Sequence, residues 1–265
     1  MPPPVPDDRL PAAPRLPAAQ RLPAAQRLPA AQRLIVALDV ESLAQAEALM
    51  DRLDGLVIRY KIGSQLFTAA GPAAVEAVHK RGAEVFLDLK FHDIPNTVAG
   101  AAREATRAGV FMFNVHASGG RAMMRAAAEA ARAAAGELRV RRPLVIAVTV
   151  LTSLDRATLH GELGVASSVE GHVLRLCDLA REAGLDGNVA SPQEIASIRN
   201  ALGRDWVIVT PGVRPAGAAP DDQSRVATPG AAARAGAHYL VVGRPVTAAP
   251  EPARAAEAIL AEMGG

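Results

Sequence analysis

From residue 34 onward the hydrophobic positions follow one repeating plan. A short run rich in Val, Ile and Leu gives way to a polar or glycine-bearing turn, and then to an Ala-rich stretch whose apolar residues recur at helical spacing. The runs predict strands over 34–39, 57–62, 84–90, 110–116, 144–149, 187–190, 206–210 and 239–243. The stretches between and after them predict helices over 42–53, 72–80, 97–107, 121–135, 169–183, 192–202, 229–235 and 252–262. Strict alternation implies a parallel sheet, and eight strands suffice to close it. The pattern therefore predicts an α/β fold, a single-domain (β/α)8 TIM barrel over 34–265. A doubly wound open sheet would carry a glycine-rich turn after the first strand, and Ala37-Leu38-Asp39-Val40-Glu41-Ser42 has no glycine.

The first 33 residues break the plan. From Arg9 the chain reads RLPAAP and then RLPAAQ three times, ending at Arg33-Leu34. A proline every six residues interrupts any helix and leaves no apolar face to bury. The segment lacks the apolar stretch of a secretory signal. Its arginines faintly suggest a transit peptide, but the prolines argue against the amphipathic helix that one needs. Residues 1–33 are expected to be a disordered low-complexity extension without catalytic duty, such as an over-long start assignment would produce.

In barrels of this kind chemistry gathers at the C-terminal ends of the strands. The third predicted strand reads Val85-Phe86-Leu87-Asp88-Leu89-Lys90-Phe91 and continues into His92-Asp93. With a side-chain period of two, Asp88 and Lys90 share one face, while Val85, Leu87, Leu89 and Phe91 form the apolar face toward the helices. Asp39 ends the first strand and Lys61 the second. Two carboxylates and two ammoniums thus converge on three neighbouring strands, with Asp93 just beyond. A salt-bridge network that closes the barrel is the alternative, but desolvation tends to cancel the Coulomb gain of such pairs, which favours a functional cluster. Arg59, in phase with Lys61, would point inward on a regular strand, so a bulge or an exposed strand start is expected there.

The seventh and eighth strands run into Thr210-Pro211-Gly212-Val213-Arg214-Pro215 and Gly243-Arg244-Pro245. The loops at these two positions are the usual phosphate site of the fold, and arginine forks suit phosphate oxygens. Residues 216–222 between them have the composition of a lid leading to Gln223. His116 and Thr152, at the ends of strands four and five, are within reach of a ligand in the same region. For His116 and for His92, a hydrogen-bonded core or rim histidine is an equal reading.

Composition narrows the partners. Half of the 265 residues are hydrophobic, enough for a full core, and a net charge of +2 with 3% aromatics gives little support to nucleic-acid binding. No apolar stretch reaches membrane-spanning length. The lone cysteine, Cys177, lies on the apolar side of a predicted helix and cannot form an internal disulfide, which fits a reducing cytoplasm.

Taken together these segments resemble the orotidine 5′-monophosphate decarboxylase family. Its Asp-x-Lys-x-x-Asp signature reads here Asp88-Leu89-Lys90-Phe91-His92-Asp93. The motifs LDV at 38–40, YKIG at 60–63, NVHASGG at 114–120, LTS at 151–153, TPGVRP at 210–215, DDQSR at 221–225 and VVGRP at 241–245 follow in the family's order. The resemblance covers 34–265. It implies that OMP is converted to UMP and carbon dioxide in pyrimidine biosynthesis without metal or organic cofactor. It further implies that Lys90 protonates C6 and that Asp88 lies against the departing carboxylate. Lys61 would hold Asp88 and contact the ribose, and Asp39 would bind a ribose hydroxyl. Thr152 would touch the base region, with Pro211, Arg214, Gln223, Gly243 and Arg244 around the phosphate. Asp93 and Thr97 would cross into a partner's site, which implies a homodimer. Asn188 departs from the family, which has an apolar residue there, and bears on stability.

Two other readings use the same barrel. Metal-dependent phosphosugar decarboxylases or synthases share Asp-x-Lys-x-x-Asp but carry a glutamate near the end of strand two, where this chain has Lys61. A non-catalytic nucleotide-binding barrel would be expected to have lost a catalytic lysine or aspartate, and none is missing.

Overall fold

The computed structural model describes residues 28–215 and 227–264. Eight strands pair in parallel and in chain order, with the first closing on the last. They are β1 (Leu34–Ala37), β2 (Arg59–Gly63), β3 (Glu84–Phe91), β4 (Met112–His116), β5 (Leu144–Val148), β6 (Gly187–Val189), β7 (Val207–Thr210) and β8 (Tyr239–Val242). Around them run α1 (Leu43–Arg52), α2 (Ser64–Ala70), α3 (Pro72–His79), α4 (Pro95–Arg107), α5 (Gly120–Leu138), α6 (Arg156–Gly161), α7 (Val169–Glu182), α8 (Ile195–Leu202), α9 (Pro229–Ala235), α10 (Arg244–Thr247) and α11 (Pro252–Gly264). The predicted barrel is therefore observed, with α2, α6 and α10 added as short helices in loops that hydrophobic period alone does not mark. No helix among the described residues is long and apolar enough to cross a membrane.

Local signals place the helix starts. Ser42 and Gln45 form a reciprocal capping box at α1. Proline occupies the first turn of α3 and α4, where its missing N–H is no loss. Ser168 and Thr228 cap α7 and α9. Alternation along the strands then divides the core. Leu34, Val36, Val85, Leu87, Leu240 and Val242 pack against the helices. Their in-phase neighbours Ile35, Ala37, Phe86, Val207, Val209, Tyr239 and Val241 fill the barrel interior.

Arg59 differs from the expectation of a bulge or an exposed start. It sits on a regular strand and is buried, at the N-terminal end of the barrel. Its guanidinium lies 4.7 Å from the centre of the Phe111 ring and 5.6 Å from that of Tyr239, and pairs with Glu84 at 2.6 Å. Arg141 pairs with Glu84 from the other side, at 3.0 Å. An inward arginine is tolerated because aromatic faces and a carboxylate replace its water. The result is a plug across the barrel floor. Asn188 is likewise fully buried and satisfied, accepting from Trp206 Nε1 at 2.7 Å and donating to the carbonyl of Val189. Cys177 is buried, and burial pushes its thiol up.

The break between extension and barrel falls earlier than residue 33. Ala30–Gln32 form a 3-10 turn, and Leu28 packs on the interior cluster. Arg33 is buried and donates to the carbonyls of Ala233 and Ala237, which follow one another around the end of α9. The carbonyl of Gln32 accepts from Arg59. The last repeat unit is thus docked, because its arginine and carbonyl satisfy groups of the barrel floor. The rest of the extension, residues 1–27, lies outside the described residues.

His238 is fully buried near this floor. Its Nδ1 lies 2.6 Å from Arg199 Nη2 and 3.2 Å from the Ile208 N–H. Both neighbours can only donate, so Nδ1 must accept and the ring is neutral. Burial, and then Arg199 and Arg33, push its pKa down to about 3.

Two outcomes follow from the floor. Deleting residues 2–33 should cost on the order of 3 kcal/mol, since it removes hydrogen bonds to buried charged groups. At roughly 2–4 °C per kcal/mol for a domain of this size, the melting temperature should fall by about 10 °C. Deleting residues 2–27 should leave it near that of the full chain, and equal losses from both truncations would remove the dock from the account. The second outcome concerns acid. His238 binds its proton more weakly folded than unfolded, so its contribution is complete above about pH 6.5 and is lost toward pH 3, at about 1.4 kcal/mol per pH unit. Urea unfolding between pH 7 and pH 4 should show a shallower decline in His238→Gln, which keeps an acceptor but cannot titrate. Parallel declines would exclude the histidine as the cause.

Candidate active site

The alternation that buries Phe86 inside the barrel carries Asp88 to its C-terminal mouth, where β2 and the end of β1 bring Lys61 and Asp39 beside it. Register sets this meeting, since Ala37 pairs with Lys61 and Gly63 with Asp88. Lys61 Nζ lies 2.7 Å from Asp39 Oδ1 and 3.3 Å from Asp88 Oδ2. Asp88 Oδ1 lies 2.7 Å from Lys90 Nζ. The four charges form a ladder of alternating sign. Gly63 leaves room for it, because a Cβ there would stand 3.1 Å from Lys61 Nζ and 3.2 Å from Asp39 Oδ1. Burial pulls the Lys61 pKa down, but the Asp88 and Asp39 carboxylates outweigh it and the net shift is upward. Lys61 is therefore a fixed charge. The Lys90 side chain is 36% exposed against 11% for Lys61, and touches one carboxylate of the ladder instead of two.

The backbone turns at Lys90, whose φ is +52°. Pairing between β3 and β4 shifts register between Leu87 and Phe91, so the ladder supplies no regular partner there. Asn114 on β4 fills the gap. Its Oδ1 accepts from the Lys90 N–H at 2.8 Å, and its Nδ2 donates to Asp88 Oδ1 at 2.7 Å.

The ladder forms one wall of a cavity of about 490 Å³. Val148, Val189, Val209 and Val241 line it with apolar surface, and Thr152, Pro211, Arg214, Gly243 and Arg244 line it elsewhere. One site therefore holds acid–base groups, an apolar bed and two guanidiniums. Its size suits a ligand of nucleotide dimensions.

Comparison with known proteins decides the family. The family described as Orotidine 5'-phosphate decarboxylase / HUMPS matches residues 32–259. The chain belongs to this family. An orotidine 5'-phosphate decarboxylase of Moorella thermoacetica is 61% identical over 229 residues, covering 86% of this chain and 91% of its own length. One from Halorhodospira halophila is 58% identical, covering 86% of this chain and 94% of its own. Among solved structures, the orotidine 5'-phosphate decarboxylase of Lactobacillus acidophilus superposes with a TM-score of 0.79 at 35% identity, over 88% of this chain and 100% of its own. That of Pyrococcus horikoshii gives 0.68 at 27% identity, over 88% and 99%.

Of the residues that the family resemblance singles out, Asp39, Lys61, Asp88, Lys90, Thr152, Pro211, Arg214, Gly243 and Arg244 all line the cavity. Asp93 and Thr97 do not; both are exposed, and Asp93 Oδ1 accepts from the Ile94 N–H at 2.6 Å. Gln223 and the expected lid at 216–222 lie outside the described residues. His116 is absent from the lining, with its ring centre 5.3 Å from that of His92. Burial, then His92 and Lys90, lower the His116 pKa against the pull of Asp88. Asn114 is the contact that the sequence reading missed. Its signal was present: in phase with interior Met112, it is an inward amide among buried apolar neighbours.

Proposed function

We propose that this chain decarboxylates orotidine 5′-phosphate to uridine 5′-phosphate in pyrimidine biosynthesis, with Lys90 as the proton donor. The observation that carries this reading is the Asp39–Lys61–Asp88–Lys90 ladder on one wall of a cavity that also holds Arg214 and Arg244. The C6–carboxylate bond breaks, its electron pair stays on C6, and a proton from the Lys90 ammonium forms the new C6–H bond. Lys90 then regains a proton from solvent. An ammonium already in place stabilises charge as it develops without reorganisation at the moment of reaction. Lys61 is the poorer donor, since two carboxylates hold its proton.

Asp88 would stand against the substrate carboxylate, Asp39 and Lys61 would bind ribose hydroxyls, and Thr152 would contact the base. Pro211, Arg214, Gly243 and Arg244, with Gln223, would hold the phosphate. Phosphate binding far from C6 offsets the cost of desolvating the reacting centre. A metal-dependent phosphosugar reaction fits less well, because the Lys61 ammonium already stands between Asp39 and Asp88, where it would repel a divalent cation.

Asp93 and Thr97 fit a shared site. Neither lines its own cavity, both are exposed, and Ile94 between them is 66% exposed, as a subunit contact would require. The working unit is then a homodimer in which these two residues complete the partner's cavity. A cytoplasmic enzyme accords with a single buried, unpaired cysteine.

Lys90→Ala should lower kcat by on the order of 10³-fold or more, combining lost proton transfer with lost charge stabilisation. Affinity for uridine 5′-phosphate should hold within a few-fold, and near-normal turnover of orotidine 5′-phosphate would sink the donor assignment. Sharing is tested by mixing. Equal amounts of inactive Lys90→Ala and Asp93→Ala dimers, after subunit exchange confirmed by mass, should regain about a quarter of wild-type sites, since each mixed dimer holds one intact site. Confirmed mixed dimers without activity would place Asp93 in its own subunit's site.

A further inference from the structure

We infer that Asn114 is a positioning residue for the decarboxylation, setting the directions of both Lys90 and Asp88 while touching no substrate. The inference rests on the proposed function for the reaction, and on the geometry for the residue. Asn114 is 1% exposed and absent from the cavity lining, so it acts only through its neighbours. Its two hydrogen bonds end on the two groups closest to the proposed chemistry, the Lys90 N–H at 2.8 Å and Asp88 Oδ1 at 2.7 Å.

Each bond does something that no other described contact does. Lys90 at φ +52° holds a left-handed conformation that an L-residue adopts only at a cost, so it needs an external hold. The β3–β4 ladder cannot provide one across its register shift, and the amide oxygen of Asn114 takes the ladder's place. Asp88 receives Lys61 on Oδ2 and Lys90 on Oδ1. Both are flexible cations that would follow the carboxylate if it rotated. The Nδ2 of Asn114 comes from a buried strand residue and cannot follow, so it fixes the rotation. Lys90 N–H only donates, which requires the amide oxygen on that side and leaves NH2 for Asp88. Only a side chain with one acceptor and one donor at amide spacing serves both ends.

The test compares wild type, Asn114→Ala and Asn114→Asp by kcat, uridine 5′-phosphate affinity and pH profile. In Asn114→Ala, kcat should fall on the order of 100-fold, as small misplacements of reacting groups do, with product affinity within about threefold. In Asn114→Asp the deficit should be severe at pH 8 and shrink toward pH 5. A protonated carboxyl again offers an acceptor and a donor, whereas the ionised form faces Asp88 with like charge. His116, two residues along β4, and His92 against it are further titratable groups facing this region, and the wild-type profile controls for them and for the Asp88, Lys61 and Lys90 charges. A kcat within threefold of wild type, equal losses of kcat and product affinity, or an Asn114→Asp profile parallel to wild type would each overturn the inference. Wild type inactive on orotidine 5′-phosphate would instead overturn the proposed function. The lysine side-chain resonances then decide for Asn114, because Lys61, Lys80 and Lys90 are the chain's only lysines. Shifts at Lys90 and Lys61 but not at Lys80 in Asn114→Ala uphold the positioning, and an unchanged spectrum overturns it.

Discussion

One carboxylate serves two ammoniums, and the upper half of the barrel is arranged around that sharing. Asp88, with its side chain 13% exposed, holds Lys61 on one oxygen and Lys90 on the other. Removing either cation would leave a largely desolvated charge short of a partner, a cost of several kcal/mol. Removing Asp88 would leave two like charges facing each other. The group is therefore all or nothing, and every element that contributes to it must arrive in register. Parallel pairing of β1, β2 and β3 supplies that register, Gly63 the room, and Asn114 the direction.

The two ends of the barrel handle buried charge in different ways. At the floor, Arg59 is covered by two aromatic rings, satisfied by Glu84 and a backbone carbonyl, and closed off. At the mouth, the charges of the ladder pair with one another and with the Asn114 amide, and line an open cavity. Aromatic cover makes a cation inert, whereas a shared carboxylate beside an apolar bed leaves one ammonium able to meet a ligand. Lys61 and Arg59 lie on the same strand and the same face, so it is their neighbours that separate support from chemistry.

Much of this was legible before any coordinates. Period-two alternation gave the inward direction of Asp88 and Lys90, because Val85 and Leu87 had no other use than the helix layer. The eight strands were legible for the same reason. What periodicity could not carry was anything dependent on a non-repeating backbone. The short helices α2, α6 and α10 bury too few apolar residues to leave a pattern. The left-handed turn at Lys90 has no signature, since lysine is not a residue that favours it, and without that turn Asn114 has no visible task. Arg59 was misread because its aromatic cover comes from Phe111 and Tyr239, which are far away in the chain. The boundary at residue 33 was misplaced because composition describes a repeat unit and not the surface that receives it.

That docked unit has a consequence for how the gene can change. Leu28-Pro29-Ala30-Ala31-Gln32-Arg33-Leu34 is identical, residue for residue, to the units beginning at Leu22 and Leu16. The barrel floor recognises Arg33 and the Gln32 carbonyl, and every unit carries both groups. Losing or gaining a whole unit therefore recreates the same junction with β1. A change of repeat number in steps of six residues is thus structurally silent at this junction. A tract that would be a hazard inside the barrel is insulated at this position, and its length is free to drift.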